Sequence, residues 1–178
     1  EEHYSQYSSS KFIPWCVDLE LFDGKPPKTA SDKPFFLATG KTYRDYKTLV
    51  DGAKEIDAEL RIIGPTQQKP NQLPPNIKWI DTSSDPPDQA IDYPTLREWY
   101  AQCIAVCIPL SGDADDTCGY TNMLEAMAMR KPVLMTRSGC LHTNPEADCF
   151  GMQINAGDPE GWTQAMNHLH QNDRKVLE

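Results

Sequence analysis

The sequence predicts an α/β domain: a doubly wound, mostly parallel sheet of about six strands with helices on both faces. Three observations carry that expectation. From Phe35 onward, short apolar runs alternate with segments of helical period. The runs are continuously apolar, as buried strands are. The first run ends at Gly40, so a loop opens at the carboxyl end of the first strand, where ligands of such sheets bind. The expected strand order is 3-2-1-4-5-6, which makes Phe36 and Val106 residents of neighbouring strands.

The chain has 178 residues, enough for one domain with a good core and short for two. Hydrophobic residues make up 39% and charged residues 24%, ordinary for a soluble globular protein. The net charge of −9 argues against a nucleic-acid-binding surface. No apolar run approaches the length of a transmembrane helix. The first residue is Glu and no signal-peptide pattern follows, so a fragment or processed chain is expected. Six cysteines stand at 16, 103, 107, 118, 140 and 149 without a Cys-x-x-Cys pair. They read as reduced thiols of a cytoplasmic protein rather than as a zinc site.

In order along the chain, residues 1–10 are polar and expected to be poorly ordered. Residues 11–22 hold an apolar segment, and residues 23–33 are a Gly/Pro-containing loop. Phe35 to Thr39 is the first strand. Tyr46, Leu49, Val50 and Ala53 then recur with helical spacing, and Leu60 to Ile63 is the second strand, closed by Gly64-Pro65. Residues 66–75 are a loop and Ile77 to Ile80 a third strand. The acidic stretch 81–92 has no hydrophobic period and reads as a long loop. Pro94 suits the first turn of a helix running to Gln102. Ile104 to Leu110 is a fourth strand, Val133 to Met135 a fifth and Phe150 to Ile154 a sixth. Asp158 and Pro159 open a last helix to Gln171 as cap and first residue. No internal repeat is present.

Between the fourth and fifth strands lies the most informative stretch. Residues 113–119 form a polar loop ending at Gly119. A short helix follows from Tyr120 to Met129, with Met123, Leu124, Met127 and Ala128 as its apolar stripe, and Pro132 stops it. Backbone N–H groups at the start of that helix favour an anion. One carboxylate, Glu125, interrupts the apolar run.

The run Thr117-Cys118-Gly119-Tyr120-Thr121-Asn122-Met123-Leu124-Glu125-Ala126-Met127-Ala128-Met129-Arg130-Lys131-Pro132-Val133 resembles the nucleotide-sugar site of retaining, GT-B type glycosyltransferases of group 1, which are built from two Rossmann-like domains. Residues 35–40 resemble that family's first strand and phosphate loop, and residues 11–22 its interdomain segment, with Cys16 at a usual glycine. The resemblance implies an interdomain linker over residues 1–32 and a Rossmann-like donor-binding domain, the C-terminal half of such an enzyme, over 33–178. It implies that a nucleoside-diphosphate sugar binds between the Gly40 loop and the Tyr120 helix. Gly40, Lys41 and Arg44 would face the diphosphate, with Lys41 and Arg44 exchanging the family's usual Arg and Lys. Gly119, Tyr120 and Thr121 would offer it backbone groups. Glu125 would bind the ribose diol, and its substitution is expected to leave stability nearly intact. The family's other glutamate falls at Thr117; Asp113, Asp115 or Asp116 are the nearby carboxylates. His142, in the loop after the fifth strand, is a weaker candidate for the sugar.

No cofactor and no metal are expected: the four histidines lack ligand spacing and no G-x-G-x-x-G follows the first strand. Transfer needs an acceptor, which the family holds on an N-terminal domain absent here, so the isolated domain is expected to transfer little. The alternative is a non-catalytic nucleotide- or partner-binding module of the same fold. A response-regulator-like fold fits less well, since Thr39-Gly40-Lys41 replaces an Asp cluster.

Overall fold

A computed structural model describes residues 14–83, 91–112, 118–137 and 144–177, the last six of these by backbone only. The elements are β1 (Phe35–Thr39), α1 (Tyr46–Ala53), β2 (Glu59–Gly64), a 3-10 turn (Thr66–Gln68), β3 (Ile77–Asp81), α2 (Tyr93–Gln102), β4 (Val106–Ile108), α3 (Tyr120–Ala128), β5 (Val133–Thr136), β6 (Gly151–Ile154) and α4 (Pro159–Leu177). Six parallel strands form one sheet in the order β3-β2-β1-β4-β5-β6. Leu37 pairs with Val106, so the expected neighbourhood of the first and fourth strands holds.

Strand alternation sorts the core into two layers. On one face Phe36 and Ala38 of β1 pack with Leu49 and Ala53 of α1 and with Trp162 and Met166 of α4. On the other, Phe35 and Leu37 meet Tyr100 of α2 and Met123 and Ala126 of α3. All five β1 side chains are buried, which is why that strand reads as an unbroken apolar run. Fully burying a chain such as Leu49 contributes about 1.5–3 kcal/mol.

Four details depart from the sequence reading. The β4 ladder is only three residues long. Pro109 has no N–H to give, and the Leu110 N–H turns to the Thr136 hydroxyl at 2.9 Å. Helix α4 runs six residues past its expected end. The 3-10 turn lies inside a segment read as loop. On α3 the buried face is Met123, Ala126 and Met129, spaced by three, while Met127 is 39% exposed. Of the expected Met123–Leu124–Met127–Ala128 stripe, Met123, Leu124 and Ala128 pack on the core, and Met127 is corrected to the solvent edge of the helix.

Residues 14–32 form a strap across α2. Phe22 packs edge-to-face on Tyr100 with ring centroids 5.4 Å apart. Asp23 accepts from the buried Arg97 guanidinium, Glu98 accepts from the Lys28 N–H at 2.8 Å, and Gln102 donates to the Thr29 carbonyl. No helix among the described residues is long and apolar enough to cross a membrane.

Candidate functional site

The carboxyl ends of β1 and β4 are drawn together by the loop after Gly40. The Gly40 N–H is already given to the Ile63 carbonyl at 3.2 Å, and the Gly40 carbonyl accepts from the Tyr46 hydroxyl at 2.8 Å. Tyr46 itself is wedged against Trp79 and buried, which pushes its phenol above the ordinary range. Gly40 has φ +131°, and a Cβ there would sit 2.5 Å from the Arg44 guanidinium. Only glycine leaves that guanidinium its place. Tyr43 takes φ +50°, its carbonyl accepts from the Ser111 N–H at 3.0 Å, and its ring is exposed.

Arg44 is 9% exposed and points inward. It donates to the Thr39 carbonyl (3.3 Å), to the Thr42 carbonyl (2.7 Å) and to Asn122 Oδ1 (2.8 Å). It therefore fastens the β1 loop to the first turn of α3. Lys41 is the loop's exposed cation, with its carbonyl held by Gln68 at 2.7 Å. Lys47 lies a turn further on and pairs with Asp51.

Helix α3 starts at Gly119, whose φ is +85°. A Cβ there would meet Ile108 Cγ2 at 2.6 Å, so the glycine allows the helix to begin hard against the end of β4. Gly119 supplies no side-chain cap, so the first-turn N–H groups keep the partial positive charge of a helix start. The Thr121 hydroxyl, beside them, accepts from Trp15 Nε1 at 2.9 Å. The strap thus ends over the opening of α3.

Glu125, one turn further along, is half-buried. Its Oε2 accepts from the Tyr100 hydroxyl at 2.6 Å and from Asn122 Nδ2 at 3.5 Å. Asn122 Nδ2 also reaches Thr39 Oγ1 at 2.8 Å. A chain of polar groups therefore runs from Glu125 through Asn122 to Thr39 and Arg44, joining α2, α3 and the end of β1. Burial raises the Glu125 carboxyl above its ordinary range, and the two donors only partly offset it. Burial also lifts the Tyr100 phenol, helped by the neighbouring carboxylate.

The structure brings together Gly40, Arg44, Gly119, Tyr120, Thr121 and Glu125, with Lys41 on the outer loop. The expectation of Glu125 as a readily replaced surface carboxylate is corrected by its bond to a fully buried phenol. Arg44, expected as a loop cation facing the diphosphate, is turned to protein acceptors. Thr117, Asp113, Asp115, Asp116 and His142 lie outside the described residues. Trp15, Thr39, Tyr100 and Asn122 were missed. Periodicity placed Tyr100 as a plain helix residue, and no sequence signal pairs it with a carboxylate 25 positions away. No group of three or more potential metal-ligating residues occurs among the described residues.

Among the described residues, cavities of about 790, 340 and 530 Å³ open at the other end of the sheet, along the amino ends of the strands. The polar chain is at the carboxyl ends, where sheets of this kind bind ligands.

Residues 36–172 match the family model described as glycosyl transferases group 1. No curated relative matches by sequence. Among solved structures, the chain is similar to a glycosyltransferase from Rickettsia africae ESF-5, with 16% identity, 88% of this chain and 45% of that one covered, and a TM-score of 0.64. AviGT4, a glycosyltransferase involved in avilamycin A biosynthesis, gives 14%, 96%, 57% and 0.59. Anabaena Alr3699/HepE, solved in complex with UDP and glucose, gives 14%, 80%, 40% and 0.53. At such identities the likeness is one of fold. The chain spans about half the length of these structures.

Proposed function

The chain belongs to the group 1 glycosyl transferases, and on that premise we propose that it is a donor-binding domain for a nucleoside-diphosphate sugar. One observation carries the reading: Arg44 ties the β1 loop to Asn122, which sets an exposed lysine loop beside an uncapped helix start. A diphosphate needs cations and N–H donors together, and this arrangement offers both. Lys41 is the loop's contribution, and the backbone of Gly119, Tyr120 and Thr121 is the helix's. Gly40 and Arg44 serve by shaping the loop. Glu125 directs a carboxylate at the ribose diol, with Oε1 left clear of the bonds made by Oε2. The structure of Alr3699/HepE with UDP and glucose supports uridine as the first base to try.

Transfer breaks the bond between the sugar and the terminal phosphate. The leaving diphosphate gains negative charge there, which the helix start and Lys41 stabilise. The acceptor is held by a second domain, outside these 178 residues. Thr117 stands where the family's donor-facing glutamate falls, and that substitution favours a second reading, a non-catalytic nucleotide-binding module of the same fold.

A thermal-shift series with uridine, guanosine and thymidine diphosphates and their sugars tests the binding, because a ligand of the native state raises apparent stability. Stabilisation by one of them, lost in Lys41→Ala, is expected. No stabilisation by any diphosphate overturns the donor site. Binding with sugar transfer absent from the two-domain protein establishes the second reading.

A further inference from the structure

One cavity at the amino ends of the strands, of about 340 Å³, is lined by an unpartnered side chain. His170 of α4 is 4% exposed, and neither Nδ1 nor Nε2 has a hydrogen-bond partner. A neutral imidazole carries one N–H to give and one lone pair to fill. Buried polar groups are almost always paired, and an unpaired one opposes folding. Around it stand Lys33, just before β1, and Lys131, just before β5, with Cys103 and Ile104 leading into β4. The Lys131 charge reaches the buried Cys103 thiol, where it opposes the upward push of burial.

Gln102, the last residue of α2, lines the cavity with Lys33, and Lys131 follows the end of α3. The unpartnered imidazole is the feature that calls for a ligand. Charge selects the ligand. The chain carries a net charge of −9, yet among the described residues no acidic group lines this cavity. The acidic groups of the region, Asp32, Asp57 and Glu59, line the larger cavity next to it, where Glu59 is paired with Arg61 and Lys78.

We propose that this cavity binds a small tetrahedral oxyanion, phosphate or a phosphomonoester, through Lys33, Lys131 and the His170 N–H. Three donors on three separate chain segments suit a group with several oxygens better than a planar carboxylate with two. The site lies at the amino end of β1 and the donor site at its carboxyl end. Five strand residues separate them, roughly 16 Å. It does not depend on the donor reading.

The test is nuclear magnetic resonance of the imidazole nitrogens in this chain, with the His170 signals identified by their loss in His170→Gln. The protein is titrated with inorganic phosphate, with acetate, and with chloride at matched ionic strength. The expected result is a saturable shift of the His170 signals with phosphate alone, weakened at least tenfold in Lys33→Met/Lys131→Met. Where His170→Gln does not fold, the His170 signals are identified by their connectivities to neighbouring residues of α4, and the double variant, which keeps the imidazole, carries the test. Unmoved signals, or a shift equal to that of chloride, overturn the site and leave an adventitious ion only. A saturable shift that survives loss of both lysines also overturns it, and one matched by acetate overturns the choice of a tetrahedral anion.

Discussion

The Tyr100 hydroxyl donates to Glu125 Oε2 at 2.6 Å, and Tyr100 has no exposed surface. Each group is therefore the other's condition. The phenol needs an acceptor because water does not reach it. The carboxylate needs the donor because it is half-buried and its proton affinity is already raised. Losing either partner leaves a buried polar group unsatisfied, at a cost of about 1–3 kcal/mol. Tyr100→Phe and Glu125→Ala should each destabilise the chain by that order. Urea melts check it; a loss below about 0.5 kcal/mol, typical of a surface site, would sink the pairing.

The same pair sets a pH dependence. The folded protein holds the Glu125 proton more tightly than the unfolded chain, whose ordinary value is 4.5. Its contribution to stability is thus complete below that value and declines as pH rises through the raised one. Glu125→Gln has no such proton. The stability of wild type relative to Glu125→Gln should fall as pH rises from the ordinary value of 4.5 through the raised one. A difference that stays flat over that range, or rises, contradicts the assignment.

Gly40 and Arg44 compete for one volume. Gly40→Ala meets both a left-handed backbone and the guanidinium 2.5 Å from its new Cβ. The backbone strain alone costs about 1–3 kcal/mol. Arg44→Ala costs stability too, by releasing Asn122 and the Thr39 and Thr42 carbonyls. Together the two should lose less than the sum, because the second change clears the space that the first one needs. Strictly additive losses in a denaturation cycle would show that the two do not collide.

The fold was legible because its rule is local. Each buried strand is a short apolar run, each helix has its period, and Phe36, Leu37 and Val106 needed only alternation and a parallel sheet to be placed. The site was legible only in part. Glu125 announces itself as a charge in an apolar helix, and Gly119 as a turn before it. Arg44 does not announce its direction: a basic residue after a glycine loop looks the same whether it faces a ligand or, as here, Asn122 across 78 positions. The Trp15 indole on Thr121 spans 106 positions and has no local trace either. His170 sits at an ordinary helix position, and its isolation is a property of the packed molecule alone.

Thiol chemistry separates the described cysteines. Burial pushes the Cys103 thiol up to about 12 and the Cys107 thiol well above its usual value. Both are closed to solvent, whereas Cys16 and Cys149 are exposed. Reactivity follows the thiolate and its access. A brief alkylation of the native chain at neutral pH should mark Cys16 and Cys149 and spare Cys103 and Cys107, which react only after unfolding. Peptide mass spectrometry reads this directly, and early label on Cys107 would mean that the central strand is open.

Glu125 also carries the proposal about the donor. A carboxylate accepts from two vicinal hydroxyls, and a ribose offers such a pair. Because Oε2 is held by Tyr100, any ribose contact falls to Oε1, and the bond to Tyr100 fixes where that oxygen points. Glu125→Gln keeps the shape and an acceptor for Tyr100, so it is the variant to use. It should weaken nucleoside-diphosphate binding on the order of tenfold, about 1.4 kcal/mol. A 2′-deoxyribose nucleotide should lose a similar energy against wild type and little more against Glu125→Gln. Groups in contact behave non-additively. Calorimetry of two proteins with two nucleotides decides the matter. Additive losses would place Glu125 away from the ribose and leave it the structural partner of Tyr100.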